Sequence, residues 1–452
     1  MMSRYKPYIA YLKTYGFTLF LLAGFAFWIK IIDVGSNWQQ AGLTTFSLGF
    51  ILLAAYITAQ ILKIAELPLI SGYIFVGIIA GPYMTGFLTE TMVVRLRLVD
   101  DLALSFIALT AGGTLQIEFL RKRGKAIAVN IFLLTLVVFI LVFFSFLFTS
   151  RRWDLMPGLT DPQITVLACL LGVIAVARSP SSAIAIINEC RATGVFTATV
   201  LGVTVAMDVL IIIFFTLAMT VSEMILSAGT AIGFQTLMVL SLAVAGSLVL
   251  GIVLGKGISL YVEKVGHDLP LFLLFFAFSV FKASIWFNHF MEIHFAISLH
   301  LEPLIVCISA GFSVRNFSKC GHIFMEGLER FALPIFVLFF SLAGASLNLD
   351  ALRKTWPLAV FLVMVRTIGI FGATWFAGIL NNDPPQHRRI AWMAYITQAG
   401  IAIGLAQMAR RQFPELGVYL TTLVLAVITI NQIVGPITFK MALKMAGEIK
   451  QA

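Results

Sequence analysis

One carboxylate, Asp208, stands inside an apolar run that reads Thr204-Val205-Ala206-Met207-Asp208-Val209-Leu210-Ile211. Bare charge is costly in such surroundings, so the group holds either a proton or a hard cation among oxygen ligands. A group that carries one or the other, never both, is enough to couple two ion movements. At helical spacing Thr204 lies one turn before Asp208, and Thr197 lies further back on the same polar stripe. Upstream, Arg178-Ser179-Pro180-Ser181-Ser182 interrupts another apolar run. Pro180 removes a backbone hydrogen bond and disfavours helix at the residue before it. Ser179, Ser181 and Ser182 can then offer hydroxyls to the exposed backbone or to an ion. Arg178, at the end of the first half-segment, offsets the partial negative charge of its carbonyls.

A similar pair recurs downstream. Tyr395-Ile396-Thr397-Gln398-Ala399-Gly400 is a weak-helix patch in an apolar segment, and the next segment carries Asn431-Gln432 followed by Gly435-Pro436. Thr397 and Gln398 are neutral oxygen donors able to face the serines of the first break. Asn431 reads as a structural polar group. Arg366 sits in the middle of Trp356–Ile379. An arginine keeps its proton, so its part is that of a fixed charge, balancing Asp208 or tying unwound carbonyls. Lys282, His300 and Glu302 read as an interior ion pair or helix-end positions. Cys169, Cys190, Cys307 and Cys320 show no metal-ligand or redox spacing and read as free thiols. No metal cluster, nucleophile–base pair or phosphate loop is visible, so the reading is neither an enzyme nor a cofactor protein.

The elements that must position these groups are membrane spans. Hydrophobic residues make up 60% of the 452 and charged residues 12%, which defines an all-α polytopic membrane protein. The net charge of +10 suggests cytoplasmic loops facing membrane lipid rather than nucleic acid. About fourteen spans can be placed. They are Tyr15–Ile32, Ala41–Leu62, Leu67–Tyr83, Leu98–Leu115, Ala126–Phe148, Ile164–Ile187 and Val195–Thr220. After these come Ile232–Leu260, Leu269–Phe290, Phe295–Phe312, Phe331–Leu347, Trp356–Ile379, Ile390–Met408 and Gly417–Leu443. Arg4, Lys6 and Lys13 precede the first span without an obvious cleavage site, so it reads as retained.

An even span count puts both termini and the loop around Arg121-Lys122-Arg123 in the cytoplasm, with Arg151 and Arg152 outside. A broken span followed by a span with a mid-membrane polar group occurs twice, which predicts an inverted repeat of six plus six spans around the two breaks. The division is an extra N-terminal span in 1–40, a first repeat in 41–220, a linker helix in 221–268, a second repeat in 269–443 and a short tail in 444–452.

Five stretches carry a likeness to a known family. They are Gly72 to Pro82 (GYIFVGIIAGP), Arg178 to Ile187, Ala206-Met207-Asp208, Phe339 to Ala345 (FFSLAGA) and Gln398 to Gly404 (QAGIAIG). In this order the chain resembles, over nearly its whole length, the monovalent cation/proton antiporters of the sodium/hydrogen exchanger superfamily, in particular the bacterial-type membrane domain. The resemblance implies an elevator-type transporter, a homodimer and a bacterial inner-membrane location, with the two broken helices crossing near the midplane. It also implies that Asp208 is the ion-binding aspartate and that Arg366 takes the family's lysine-or-arginine position.

Two departures bear on the substrate. Met207 stands where the family often has a second carboxylate or an asparagine, and Arg178-Ser179-Pro180 where it often has Thr-Asp-Pro. With Met207 unable to titrate and Arg366 holding its proton, Asp208 alone alternates. That predicts electroneutral exchange of Na+ or K+ for H+. Its ion-binding set is Asp208, Thr204, Ser179, Ser181, Thr397 and Gln398, and its structural charges and polar groups are Arg178, Arg366 and Asn431. One carboxylate beside two arginines also suits an anion or organic-anion carrier, and an uncoupled channel or sensor is a further alternative.

Overall fold

A computed structural model of the chain describes residues 39–64, 67–153, 158–227, 234–295, 301–347, 349–398 and 400–449. The expected first span and His300 lie outside these residues. Every regular element described is helical. Among the described residues, nine helices are long and apolar enough to cross a membrane, and three shorter apolar helices accompany them. Apolar side chains on most faces leave the helix, with its internally paired backbone, as the one open structure that lipid tolerates.

The chain falls into two compact units. The first comprises residues up to Ala103 and Phe331–Asn348. It holds α1 (Gln39–Ile64), α2 (Leu69–Ala80), α3 (Glu90–Arg95), the start of α4 (Arg97–Thr114) and the end of a later helix, Gly321–Ala345. α1 packs along α2. Ile51, Ala80, Leu88, Leu96, Leu342 and Ala345 form a buried cluster there. α2 and the end of Gly321–Ala345 touch backbone to backbone. A Cβ on Gly77 would lie 2.1 Å from the Ser341 carbonyl, and one on Gly344 would lie 2.3 Å from that of Ile74. Small residues at such a contact let helices approach where no hydrophobic effect drives them together.

The second unit holds the remainder of the chain. After α4 come α5 (Ile117–Trp153), α6 (Asp161–Val176), α7 (Pro180–Cys190) and α8 (Val195–Ser227). Next are α9 (Phe234–Lys264), α10 (Leu269–Phe295), α11 (Pro303–Phe317) and α12, the Gly321–Ala345 helix shared with the first unit. Then follow α13 (Leu349–Leu380), α14 (Pro385–Ile390), a 3-10 turn over Ala391–Tyr395, α15 (Gly400–Gln412) and α16 (Pro414–Ala446). α9 lies along α11, α13 packs on α5 and α16, and α6 packs between α5 and α8.

Several expected boundaries move. The segment expected to end at Thr220 runs on to Ser227, inside the stretch assigned to the linker. The last helix continues to Ala446, past the boundary placed at Leu443, until Gly447 turns left-handed at φ 72°. Among the described residues, the helix in the segment expected from Phe295 is Pro303–Phe317, and a proline without an N–H suits its first position. The one expected from Phe331 begins at Gly321, since the polar turns ahead of its apolar run are also helical. Hydropathy marks the apolar part of a helix, and these helices extend beyond it.

Candidate ion-binding site

The first break forms as the proline chemistry requires. Thr160 and Gln163 start α6 with a reciprocal capping box, and the Thr160 N–H donates to Gln163 Oε1 at 2.8 Å. The helix stops at Val176, two residues short of the end expected at Arg178. Residues 177–179 are extended, and Ser179 caps the new helix α7, its Oγ accepting from the Ser182 N–H at 3.3 Å. The same Oγ lies 3.0 Å from Ser181 Oγ and 2.9 Å from Ser182 Oγ. The three serines thus form one hydroxyl cluster at the N-terminus of α7.

The second break lies directly against the first. After the 3-10 turn, residues 396–398 leave the helix, and the Ser179 N–H donates to the Thr397 carbonyl at 3.2 Å. α16 backs this crossing. A Cβ on Gly435 would fall 2.7 Å from Thr397 Cγ2 and 2.9 Å from its Cα, so only glycine fits there.

Two broken segments leave carbonyls without helical partners, and Arg366 satisfies them. Its Nε donates to Ala175 O at 2.8 Å, Nη1 to Ile396 O at 2.9 Å and Nη2 to Ala177 O at 3.1 Å. One planar guanidinium therefore ties both breaks to α13, which is the use for which its fixed fork of donors suits it. Gln398 adds a further link, its Nε2 donating to Ile174 O at 2.9 Å. Asn431 on α16 holds Gln398 in turn, Nδ2 to Oε1 at 3.0 Å. Arg178 lies closer in, with Nη1 donating to Ala175 O at 3.3 Å and Ala177 O at 3.4 Å.

Asp208 on α8 is 5% exposed, and its Oδ1 has no hydrogen-bond partner. It lines a cavity of about 30 Å³ with Arg178, Ser179 and Ser181 from the first break. The remaining wall is Pro180 and apolar side chains from α4, α7, α11 and α15. Among the described residues neither arginine forms an ion pair with Asp208. A second cavity, of about 550 Å³, begins at the first turn of α8 and is lined by Thr193, Thr197, Arg315, His322, Glu326 and Glu329 among others.

The structure therefore sorts the residues singled out by sequence into two groups. Asp208, Ser179 and Ser181 share one cavity wall. Arg366, Gln398 and Asn431 form the lattice that holds the crossing, with Thr397 supplying its carbonyl. Thr204 turns to its own backbone, donating to Val200 O at 2.7 Å. Thr197 is drawn away from Asp208, its hydroxyl donating to Glu448 Oε2 at 2.7 Å. Lys282 stacks its ammonium 5.7 Å from the Phe278 ring, and Glu302 stands at the start of α11, its N–H donating to Ser247 Oγ at 3.0 Å.

Glu448 is the residue that sequence reasoning missed. It lies in the segment taken as a tail, yet its carboxylate accepts from the N–H groups of Phe196 and Thr197 at 2.8 and 2.7 Å. It thus caps the start of the Asp208 helix, where a negative charge is favoured. Nothing local in the sequence announces a cap supplied from 251 residues away.

The family model for the sodium/hydrogen exchanger transmembrane domain matches residues 48–445. The chain belongs to this family of transporters, the monovalent cation/proton antiporters, and is an integral membrane protein. Membership supports cation/proton antiport, with cations and protons as the transported species. Two solved structures of the sodium proton antiporter MjNhaP1 from Methanocaldococcus jannaschii share the fold. The one at pH 8 is 15% identical with a TM-score of 0.61, covering 90% of this chain and 96% of that one. The other, from an electron-microscopy map, is 16% identical with a TM-score of 0.69, covering 92% of this chain and 100% of that one. A comparison with curated proteins finds no match.

Proposed function

We propose that this chain is a secondary active antiporter exchanging one Na+ or K+ for one H+, with Asp208 as the site both ions share. The observation that carries the reading is the unpartnered Oδ1 of Asp208, buried in a small cavity where two broken segments meet. A carboxylate oxygen so placed is costly unless a proton or a cation satisfies it. An intramembrane ionisable group with no structural partner is a functional site by default. Ser179 and Ser181 offer neutral side-chain oxygens on the wall of the same cavity to a cation that has shed its water. Thr397, Gln398, Arg366 and Asn431 hold the crossing in register, and Thr204 lies one turn from the carboxylate on the same helix, its hydroxyl bonded to Val200 O. The larger cavity at the first turn of α8 is the route by which ions reach the site from one side.

Exchange is electroneutral on this reading. Met207 cannot titrate, and Arg366 is committed to three carbonyls, so Asp208 alone alternates between neutral loaded forms. The rest of the proposal draws on family membership and on the twofold occurrence of a broken segment followed by a helix with a buried polar group. It comprises elevator-type movement, about fourteen spans in an inverted repeat of six plus six with a linker helix, and a homodimer. Both termini are cytoplasmic, in a bacterial inner membrane, from the charge bias of the loops. Proteoliposomes holding this chain alone test the function: an imposed Na+ or K+ gradient should move protons, and Asp208→Asn should abolish that movement while leaving expression unchanged. Full exchange by the Asn variant would rule out Asp208 as the shared site.

A further inference from the structure

The segment that follows α16 meets the start of the Asp208 helix. α16 ends at Gly447, whose left-handed φ of 72° favours glycine, and the next residue is Glu448. The Glu448 backbone carbonyl accepts from the Thr193 N–H at 3.0 Å, in the turn between α7 and α8. Its carboxylate takes the N–H groups of Phe196 and Thr197 and the Thr197 hydroxyl, all within 2.8 Å. Phe196 and Thr197 are buried, so water is a poor substitute for those bonds. Gly194 makes room for the carboxylate. A Cβ there would lie within 2.6 Å of Cγ, Cδ and Oε1 of Glu448, so even alanine must push the side chain aside.

Neighbouring contacts run between the same helices. Lys440 on α16 pairs with Glu189 on α7 at 2.9 Å. Gln386 of α14 donates to the Met445 carbonyl in the last turn of α16. Towards the other end of α8, Gln412 of α15 donates to Glu223. The helix bearing Asp208 is thus tied towards both ends to α15 and α16, the two helices that follow the second break. The Glu223 link is exposed and competes with water. The Glu448 clasp is charged, makes three side-chain bonds and lies against buried partners.

Antiport requires a site to face each side in turn, and in such transporters packed bundles move past one another around that site. Arg366 and Gln398 already join the two broken segments at the crossing. Asp208 is carried by α8, whose first turn is joined to the end of α16 through Glu448. Resting on the reading of this chain as an antiporter with Asp208 as the shared site, we propose that Glu448 is a positioning residue for exchange. Its clasp makes the start of α8 move with α16, so that Asp208 and the crossing travel as one body. Thr193, Gly194 and Thr197, which the clasp holds, also line the larger cavity, so that wall of the ion route travels with them.

The consequence is a split between binding and turnover. Asp208 lies about three helical turns beyond Thr197, and the crossing holds Ser179 and Ser181 without help from Glu448. Loss of the clasp therefore leaves cation binding in place. It lowers the share of molecules in which α8 follows α16, and turnover falls with that share.

The test is exchange in proteoliposomes, normalised to folded protein and measured well below every unfolding midpoint. The proteins are the parent, Glu448→Ala, Glu448→Gln, Gly194→Ala, the double variant Gly194→Ala with Glu448→Ala, and Asp208→Asn. Glu448→Ala should lose about tenfold in maximal rate, with cation half-saturation unchanged to within about twofold. Glu448→Gln, whose amide keeps one acceptor oxygen, should lose less. Gly194→Ala, with Glu448 present but displaced, should match Glu448→Ala. The double variant should be no slower than either, because the added methyl then has no carboxylate to displace. A role in stability alone would lower the midpoint and leave the maximal rate below it unchanged, and that result in Glu448→Ala overturns the proposal. So does a raised half-saturation at the parent's maximal rate, or a double variant that loses the product of the two single losses. Should Glu448→Ala fail to fold, Gly194→Ala and Glu448→Gln decide by the same criteria. An active Asp208→Asn variant would mean that the shared-site reading itself has failed. An inactive Asp208→Asn beside clasp variants with the parent's maximal rate would mean that only this inference has.

Discussion

Replacing Arg366 should loosen the crossing of the two broken segments before it affects anything else. The side chain is 1% exposed and donates three bonds at 2.8, 2.9 and 3.1 Å, two to the first break and one to the second. Hydrogen bonds from a charged donor contribute about 1.5–3 kcal/mol each, so the trio sums to roughly 5 kcal/mol at its lower end. Bonds from one side chain do not add fully, and Arg178 also reaches Ala175 O and Ala177 O. Arg366→Ala should therefore cost about 3 kcal/mol, most of it at Ile396. Arg366→Lys, whose compact ammonium cannot span all three carbonyls, should recover about half. The assay is thermal unfolding of the purified protein in detergent beside transport in proteoliposomes. The order parent, Lys, Ala is expected in both, with a midpoint loss of several degrees for Ala. A parent-like midpoint and rate in Arg366→Ala would refute the reasoning, because the three carbonyls would then need no donor.

Two further substitutions probe neighbouring parts of the same frame. Gly435→Ala places a methyl 2.7 Å from Thr397 Cγ2 and 2.9 Å from its backbone. It should cost about 1–3 kcal/mol and impair exchange, whereas a silent Gly435→Ala in melting and transport would show that the crossing is not tightly backed. Glu448→Ala removes the acceptor of three bonds at the start of α8. With the group half-buried the loss should be about 1–2 kcal/mol, seen as a lowered midpoint. An unchanged midpoint would mean that solvent replaces the cap at no cost.

What the sequence made legible were local rules with large energies behind them. Pro180 fixed the first break, since no neighbouring contact restores a missing N–H, and the serines around it had nowhere better to bond than one another. Asp208 stood out because a carboxylate between Met207 and Val209 has so few structural reasons to exist. Arg366 could be read as a fixed charge, but not as the donor to Ala175, Ala177 and Ile396, because those partners meet only once both breaks lie side by side. Thr197 and Thr204 share a stripe with Asp208, but the stripe does not say where each hydroxyl bonds. A threonine can satisfy itself on its own helix, as Thr204 does, or on a distant partner, as Thr197 does with Glu448. Helix ends were blurred for a similar reason, because hydropathy falls away before the backbone hydrogen bonds do. Asp208 could be set beside Arg178 and Arg366 from the sequence, and Arg178 does share its cavity wall; that neither arginine forms an ion pair with it among the described residues could not be read from pattern.

The central claim is that one carboxylate carries either the proton or the cation. It is tested most directly by counting protons as the cation binds. Purified protein in weakly buffered detergent solution, titrated with Na+ or K+ at a pH within its working range, should release protons in step with the cation bound. The release should approach one for one and vanish in Asp208→Asn. Saturable cation binding without proton release, or undiminished release from the Asn variant, would contradict the account.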